Sequence, residues 1–431
     1  MQFYSTNSQN KKVDLKDAVL KGLAEDNGLY MPEQIPVLDQ SFFDDIQNKS
    51  LQEIGYEVLK PFFCPDIPEA DFKALVDDAL NFEIPVVEVS RNKYALELFH
   101  GPTLAFKDVG ARFMARILSN FVSGQEKEIN ILVATSGDTG SAVANGFYKV
   151  PGINVFVLYP KGLVSEVQEK QFTTLGENIT AIEVNGTFDD CQRMVKQAFL
   201  DKELNEKLVL TSANSINLAR LLPQSIYYHH AYAQLRAKGI ENDIVMCVPS
   251  GNFGNITAGL IAQLMGLPVK RFIAATNIND IVPKYLESGK YNPAPSKATI
   301  ANAMDVGDPS NFVRILDLYG AKHKVVSQKV EGYSYTDEDI RDVMKKTDAD
   351  FGYVLDPHGA TAYMALEDGL KAGEVGVFLE TAHPTKFPEV VEPEIGRKLD
   401  VPERLQAFMK GERKSIQMDA TVEKLKAFLM K

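Results

Sequence analysis

Residues 243–266 read DIVMCVPSGNFGNITAGLIAQLMG. Asp243 to Val248 is a short apolar run, Ser250-Gly251-Asn252-Phe253-Gly254-Asn255 is a loop, and the residues after it carry apolar side chains at helical spacing. A strand that passes through a glycine loop into a helix is the building unit of a parallel sheet wrapped by helices. The two glycines let backbone N–H groups turn toward one point, and the helix start adds its dipole. The result is an anion cradle best suited to a phosphate. No Gly-Lys-Ser/Thr follows, so this is not a Walker loop, and its GxxG spacing is not the dinucleotide GxGxxG fingerprint. The plain alternative is a tight strand–helix turn that holds no ligand.

Outward from this stretch the same rhythm recurs. From about residue 93, the runs INILVAT (129–135), INVFVLYP (153–160), ITAIEV (179–184), RFIAATN (271–277), HKVVS (323–327) and GVFLET (376–381) alternate with helix-period segments. They predict an α/β chain whose ligands bind where strands end and helices begin. Residues 1–92 read as mostly helical: DLKDAVLKGLAEDNG ends on Gly28, SLQEIGYEVLKPFF stops near Pro61, and DFKALVDDALNF is a third helix. No internal repeat or low-complexity linker interrupts the chain.

The 431 residues exceed one small domain and suggest two or three. With 45% apolar and 24% charged residues the chain is of ordinary globular composition. A formal net charge of −12 disfavours general binding to nucleic acid or anionic membranes, although a local pocket of Lys, Arg and N–H groups can still take an anionic metabolite. Cys64, Cys191 and Cys247 are odd in number and far apart, without metal-ligand spacing, and read as reduced thiols of a cytoplasmic protein. No apolar signal core opens the chain, and no stretch reaches the roughly 18 apolar residues of a membrane span.

Two further loops carry candidate chemistry. In HGPTLAFKDVGARFMARIL (100–118), Lys107 stands just before a helix start, with Asp108 as candidate cap and Val109, Phe113, Ile117 and Leu118 as the apolar face. Its bland reading is a surface lysine. Yet an amine held against apolar neighbours and the positive end of a helix has a lowered pKa and suits Schiff-base formation. In LVATSGDTGSAVANGF (132–147), a strand again enters a Gly/Ser/Thr loop and leaves as a helix. The hydroxyls of Thr135, Ser136 and Thr139 and the free N–H groups suit a carboxylate. The alternative is a capped turn.

Taken together and in order, HGPTLAFKD, ATSGDTGSA and PSGNFGN resemble the threonine synthase family. That family lies in the tryptophan-synthase-β-like group of enzymes using pyridoxal 5'-phosphate (PLP), fold type II. KDAVLKGLAEDNGLYMPEQIP, YPKGLVSEVQEKQ, NSINLARLLPQ, NAMDVGDPSNFVRIL, DPHGATAY and ETAHPTKFPE extend the resemblance over nearly the whole chain. It implies two parallel-sheet three-layer domains plus a mainly helical N-terminal domain. The expected ranges are 1–92 for the helical domain, 93–124 with 226–431 for the large PLP domain, and 125–225 for the small domain with the substrate loop. Lys107 would be the Schiff-base lysine and proton shuttle, with Phe106 beside it at the cofactor. Gly251, Asn252, Phe253, Gly254 and Asn255 would hold the cofactor phosphate, and the Thr381 hydroxyl would meet the pyridine nitrogen. Thr135, Ser136, Gly137, Asp138 and Thr139 would take the substrate carboxylate, and Asn214 and Arg220 the substrate phosphate, for which a planar guanidinium suits. Lys161, His383 and Lys386 lie in matching segments without an assigned role.

Many fold type II enzymes place Asn where this chain has Asp138, and Asp is what the longer threonine synthases show. Facing the cofactor's ring hydroxyl, Asp138 would need a proton or a donor. The implied activity is that of a carbon–oxygen lyase acting on phosphates: O-phospho-L-homoserine and water to L-threonine and phosphate, the last step of threonine biosynthesis. The implied protein is a cytoplasmic monomer or weak homodimer that needs no metal. Rival readings are a PLP dehydratase or β-replacement enzyme, a binding protein on the same fold, and a nucleotide-binding α/β protein.

Overall fold

The structure is a computed structural model describing residues 1–64, 66–122 and 127–431. The strand Asp243–Pro249 is central, as its sequence demands: after the exposed Asp243 every residue is buried. Such a strand needs cover on both faces, which a parallel sheet between helix layers supplies. It pairs in parallel with Arg271–Thr276 on one side and Glu374–Glu380 on the other. Val330–Ser334 and Lys93–Glu97 extend the two flanks in parallel, and Val86–Ser90 closes one edge antiparallel, giving six strands. A second sheet of five parallel strands runs in the order Ile416–Asp419, Ile179–Asn185, Ile153–Pro160, Ile129–Ala134, Val209–Ser212. Helix Lys107–Val122 connects the two sheets, and its face of Val109, Phe113, Ile117 and Leu118 is buried as the spacing predicts.

Several expectations need correction. HKVVS is not a strand: His323–Lys329 is helical, with only Val326 buried, and the strand begins at Val330. Adjacent valines carry β propensity, but sheet pairing is decided by an available edge, and the next residues hold the register with Arg271–Thr276. The first helix ends not at Gly28 but at Gly22, whose φ of 67° is a left-handed stop. Pro61 does not end the helix Leu51–Phe63. Phe63 beyond it packs on Phe72 and Phe113 at ring distances of 5.6 and 5.0 Å, so burial outweighs the break. The N-terminal region also holds an antiparallel sheet of Phe3–Ser5, Ser8–Val13 and Tyr30–Pro32, which the sequence reading missed because the strands are short and the edge strand Ser8–Val13 is polar.

The sheets also draw lines that composition does not. Val86–Ser90, assigned with the N-terminal region, hydrogen-bonds within the six-stranded sheet, and Ile416–Asp419 returns to the five-stranded one. Among the described residues no helix is long and apolar enough to cross a membrane.

Candidate active site

The ends of both parallel sheets open on one cavity of about 350 Å³. Phe106, Lys107, Thr135, Ser136, Asp138, Thr139, Asn214, Arg220, Gly251–Asn255 and Thr381 all line it. Gly137 alone of the expected residues does not, being turned against Gln168, where a Cβ would come within 2.4 Å of the Gln168 side chain.

The cradle is built as the central stretch requires. Phe253 caps the helix Gly254–Leu264 in the left-handed region at φ 60°, with no side-chain cap. Among the described residues, the backbone N–H groups of Gly251 through Asn255 meet no acceptor, so five donors are left at a helix start. Side chains brace the loop from outside: Asn255 Nδ2 donates to Pro249 O at 2.8 Å, Asn252 Nδ2 to Ser215 Oγ at 2.8 Å, and Ser310 N to Asn252 Oδ1 at 2.6 Å. Gly251 is obligatory, since a Cβ there would sit 2.6 Å from Ala303 O.

Lys107 opens helix Lys107–Val122 rather than preceding it. Asp108 is not the cap. Its carboxylate turns back to accept Thr103 N at 2.8 Å and Thr103 Oγ1 at 2.6 Å, and burial pushes its pKa up. Lys107 Nζ lies 4.6 Å from the Phe106 ring centre and 3.7 Å from Asp138 Oδ2. Burial lowers its pKa most; Asp138 opposes this, and Lys386 and Arg220 lower it further. Burial alone would raise the Asp138 pKa, but Lys386 and Lys107 hold it well below the usual carboxylate range. Asp138 therefore faces the cavity ionised, with donors already on it.

In the loop 135–139, the Thr135 hydroxyl is not free for a ligand: its Oγ1 accepts Gly137 N and Gly140 N, each at 2.8 Å. The N–H groups of Ser136, Asp138 and Thr139 meet no acceptor among the described residues. Asn214 Nδ2 donates to Ala134 O at 3.2 Å, which ties the second strand end to the first. Arg220 is buried, donates to Ala213 O, and has no carboxylate within ion-pair distance among the described residues. Among the described residues its Nε, turned toward Gly110, has no partner, and burial brings its pKa down to about 10. A buried guanidinium that lines a cavity without a carboxylate partner among the described residues can take an anion there. The backbone at Thr381 accepts from Phe106 N at 2.9 Å, and Thr381 lines the cavity together with Lys107.

Sequence reasoning missed part of the lining. His358, whose Nδ1 is 2.6 Å from Asp356 Oδ1, accepts Ala303 N at 3.2 Å and so holds the turn against Gly251. Gln224 is likewise unsignalled, as is Gln168, which lies outside the lining and donates to Asp138, since lone glutamines on helices carry no local pattern. Lys386 is buried behind the cavity, whereas Lys161 is exposed and away from it. His383, lowered to about 4 by burial, accepts from Thr385 Oγ1 at 2.7 Å and supports the turn carrying Lys386.

Residues 84–379 match the family described as pyridoxal-phosphate dependent enzyme, residues 2–80 the threonine synthase N terminus, and residues 359–429 the threonine synthase C-terminal family. The threonine synthase of Haemophilus influenzae is 47% identical over 431 residues, covering 100% of each chain. The chain belongs to the threonine synthase family. Its structure is similar to that of the threonine synthase from Escherichia coli, with a TM-score of 0.94 at 43% identity over 100% of this chain and 99% of the other. It is also similar to a PLP-bound threonine synthase from Brucella melitensis, with a TM-score of 0.93 at 34% identity over 100% and 98%. The expected threonine synthase fold, two parallel-sheet units with an N-terminal region packed on them, is the fold observed.

Proposed function

We propose that this chain converts O-phospho-L-homoserine and water to L-threonine and phosphate, with PLP carried on Lys107. The observation that carries this reading is one cavity lined together by a lysine amine of lowered pKa, by the loops 135–139 and 251–255 with their free N–H groups, and by the buried Arg220. The residues present fit the cofactor: five unpaired N–H groups would hold its phosphate, Lys107 its aldehyde carbon, and Thr381 its pyridine nitrogen, where a neutral hydroxyl does not force ring protonation. PLP, when bound, supplies an electron sink for charge developing on substrate carbons.

The chain's own residues do the rest. Arg220 and Asn214 hold the substrate phosphate, and the N–H groups of Ser136, Asp138 and Thr139 take its carboxylate. Lys107 Nζ takes the Cα proton and later returns it. Over the reaction a Cβ proton also leaves, the Cγ–O bond to phosphate breaks, Cγ gains a proton, and water adds its hydroxyl at Cβ. The leaving phosphate, kept near Arg220, is at hand as acid or base. Closure of the unit carrying residues 135–139 onto the unit carrying Lys107 would keep water out until that step.

On this reading the working unit is a monomer or weak homodimer. The three unpaired cysteines support the cytoplasm as its compartment. The test is phosphate release from O-phosphohomoserine with threonine quantified in the same tube. Equal phosphate and threonine, dependent on PLP and lost in Lys107→Ala, is the expected result. Phosphate without threonine would assign a different product, and no release would overturn the reading.

A further inference from the structure

Behind Lys107 the two α/β units meet through buried charges that the proposed chemistry does not touch. Lys386 ends the short turn Pro384–Lys386 that follows strand Glu374–Glu380, and it is fully buried. Its Nζ donates to Thr103 O at 2.8 Å and lies 2.7 Å from Asp138 Oδ1. Asp138 opens helix Asp138–Gly146 of the other unit, and its Oδ1 also accepts Gln168 Nε2 at 2.9 Å. Its Oδ2 reaches Lys107 Nζ only at 3.7 Å, beyond hydrogen-bond length. The carboxylate is thus held firmly from behind and only loosely by the amine in front.

Stability alone does not account for this arrangement. A buried ion pair loses about as much in desolvation as it gains from attraction, and an apolar pair of similar volume usually does as well. We propose that Lys386 is a positioning residue for the reaction. By engaging Asp138 from behind, it keeps that carboxylate from pairing with Lys107 and leaves the Lys107 amine free to exchange its proton. The charged groups facing Lys107 are Asp138 from the small unit, Arg220 from Leu218–Leu221 and Lys386 from its turn. On the lysine's own helix, Asp108 is engaged by Thr103, and the nearby Tyr227 hydroxyl donates to Phe106 O. Without Lys386 the loose contact becomes the carboxylate's main ion pair, and Lys107 keeps its proton.

The inference rests on Lys107 being the reacting amine, as proposed above, so the test reads Lys107 itself. Full-length protein freed of cofactor is acetylated with acetic anhydride at mildly alkaline pH, and labelling of Lys107 is followed by mass spectrometry. Lys386→Met is expected to slow Lys107 labelling about tenfold or more, because an adjacent opposite charge favours the protonated amine by one to three pH units. Lys386→Arg keeps the charge and should stay within roughly threefold of wild type. The double variant Lys386→Met with Asp138→Asn removes both partners and should label at or above the wild-type rate, a rescue that general loosening does not produce. Wild-type labelling in Lys386→Met, or a double variant as slow as the single one, overturns the proposal. If Lys386→Met does not fold, Lys386→Gln, which keeps a donor for Thr103 O without the charge, takes its place: labelling slowed about tenfold supports the proposal, and wild-type labelling overturns it. Failure of the functional reading shows separately, as turnover that survives Lys107→Ala.

Discussion

The two glycine loops that line the cavity share a plan and differ in what they leave free. Each leaves a fully buried strand end and enters a helix, at Pro249 in one case and Ala134 in the other. In the loop 250–255 all five N–H groups from Gly251 to Asn255 stay unpaired among the described residues, and the side chains of Asn252 and Asn255 point away to brace it. In the loop 135–139, Thr135 takes up Gly137 N and Gly140 N and leaves three donors beside an ionised Asp138. On the proposed function the first loop would hold the cofactor's dianion and the second the smaller substrate carboxylate. The Asp138 carboxylate of the second loop is clasped by Lys386 of the other unit. The same strand–loop–helix signal therefore becomes two different sites, according to which neighbour supplies the acceptors.

That contrast can be broken at three points. Gly251→Ala should act most strongly: its Cβ would meet Ala303 O at 2.6 Å and push the cradle out of shape. A clash worth about 1–3 kcal/mol should weaken PLP affinity roughly 10- to 100-fold, measured by cofactor titration. Normal affinity would show that the cradle can give. Arg220→Ala should leave the cofactor bound and raise KM for O-phosphohomoserine roughly 10- to 100-fold, as expected for losing charge-assisted hydrogen bonds of about 1.5–3 kcal/mol. An unchanged KM would remove Arg220 from the substrate side. Thr135→Val should act least: it strands two buried N–H groups, lowers the thermal midpoint, and raises KM roughly fivefold without changing PLP affinity. A fall in PLP affinity there would mean that the two loops are not independent.

Much of the fold was legible because its central strands are apolar throughout, and such runs have few homes other than a parallel sheet covered on both faces. The illegible parts are those where local signal and tertiary demand part ways. The valines of His323–Lys329 read as strand, and Pro61 reads as a stop, until packing decides otherwise. The site divides in the same way. Residues in glycine loops announced themselves, since backbone donors at a helix start need glycine and leave a pattern. Lys386, Gln168, His358 and Thr103 left none, because what ties them to the site is a contact with a residue at least 30 positions away or one made through a backbone carbonyl.

By itself the sequence determined the apolar central strands, the two glycine loops that leave them for helices, and which lysine stands at a helix start beside an aromatic ring. These are matters of local pattern, and a few consecutive residues are enough to set them. Only the tertiary structure decided that Arg220 has no counter-ion among the described residues, that the Thr135 hydroxyl is already engaged, and that Asp138 pairs with Lys386 more closely than with Lys107. Charge and hydrogen-bond pairing depend on distances of a few ångströms between segments far apart in the chain, and desolvation depends on everything packed around them.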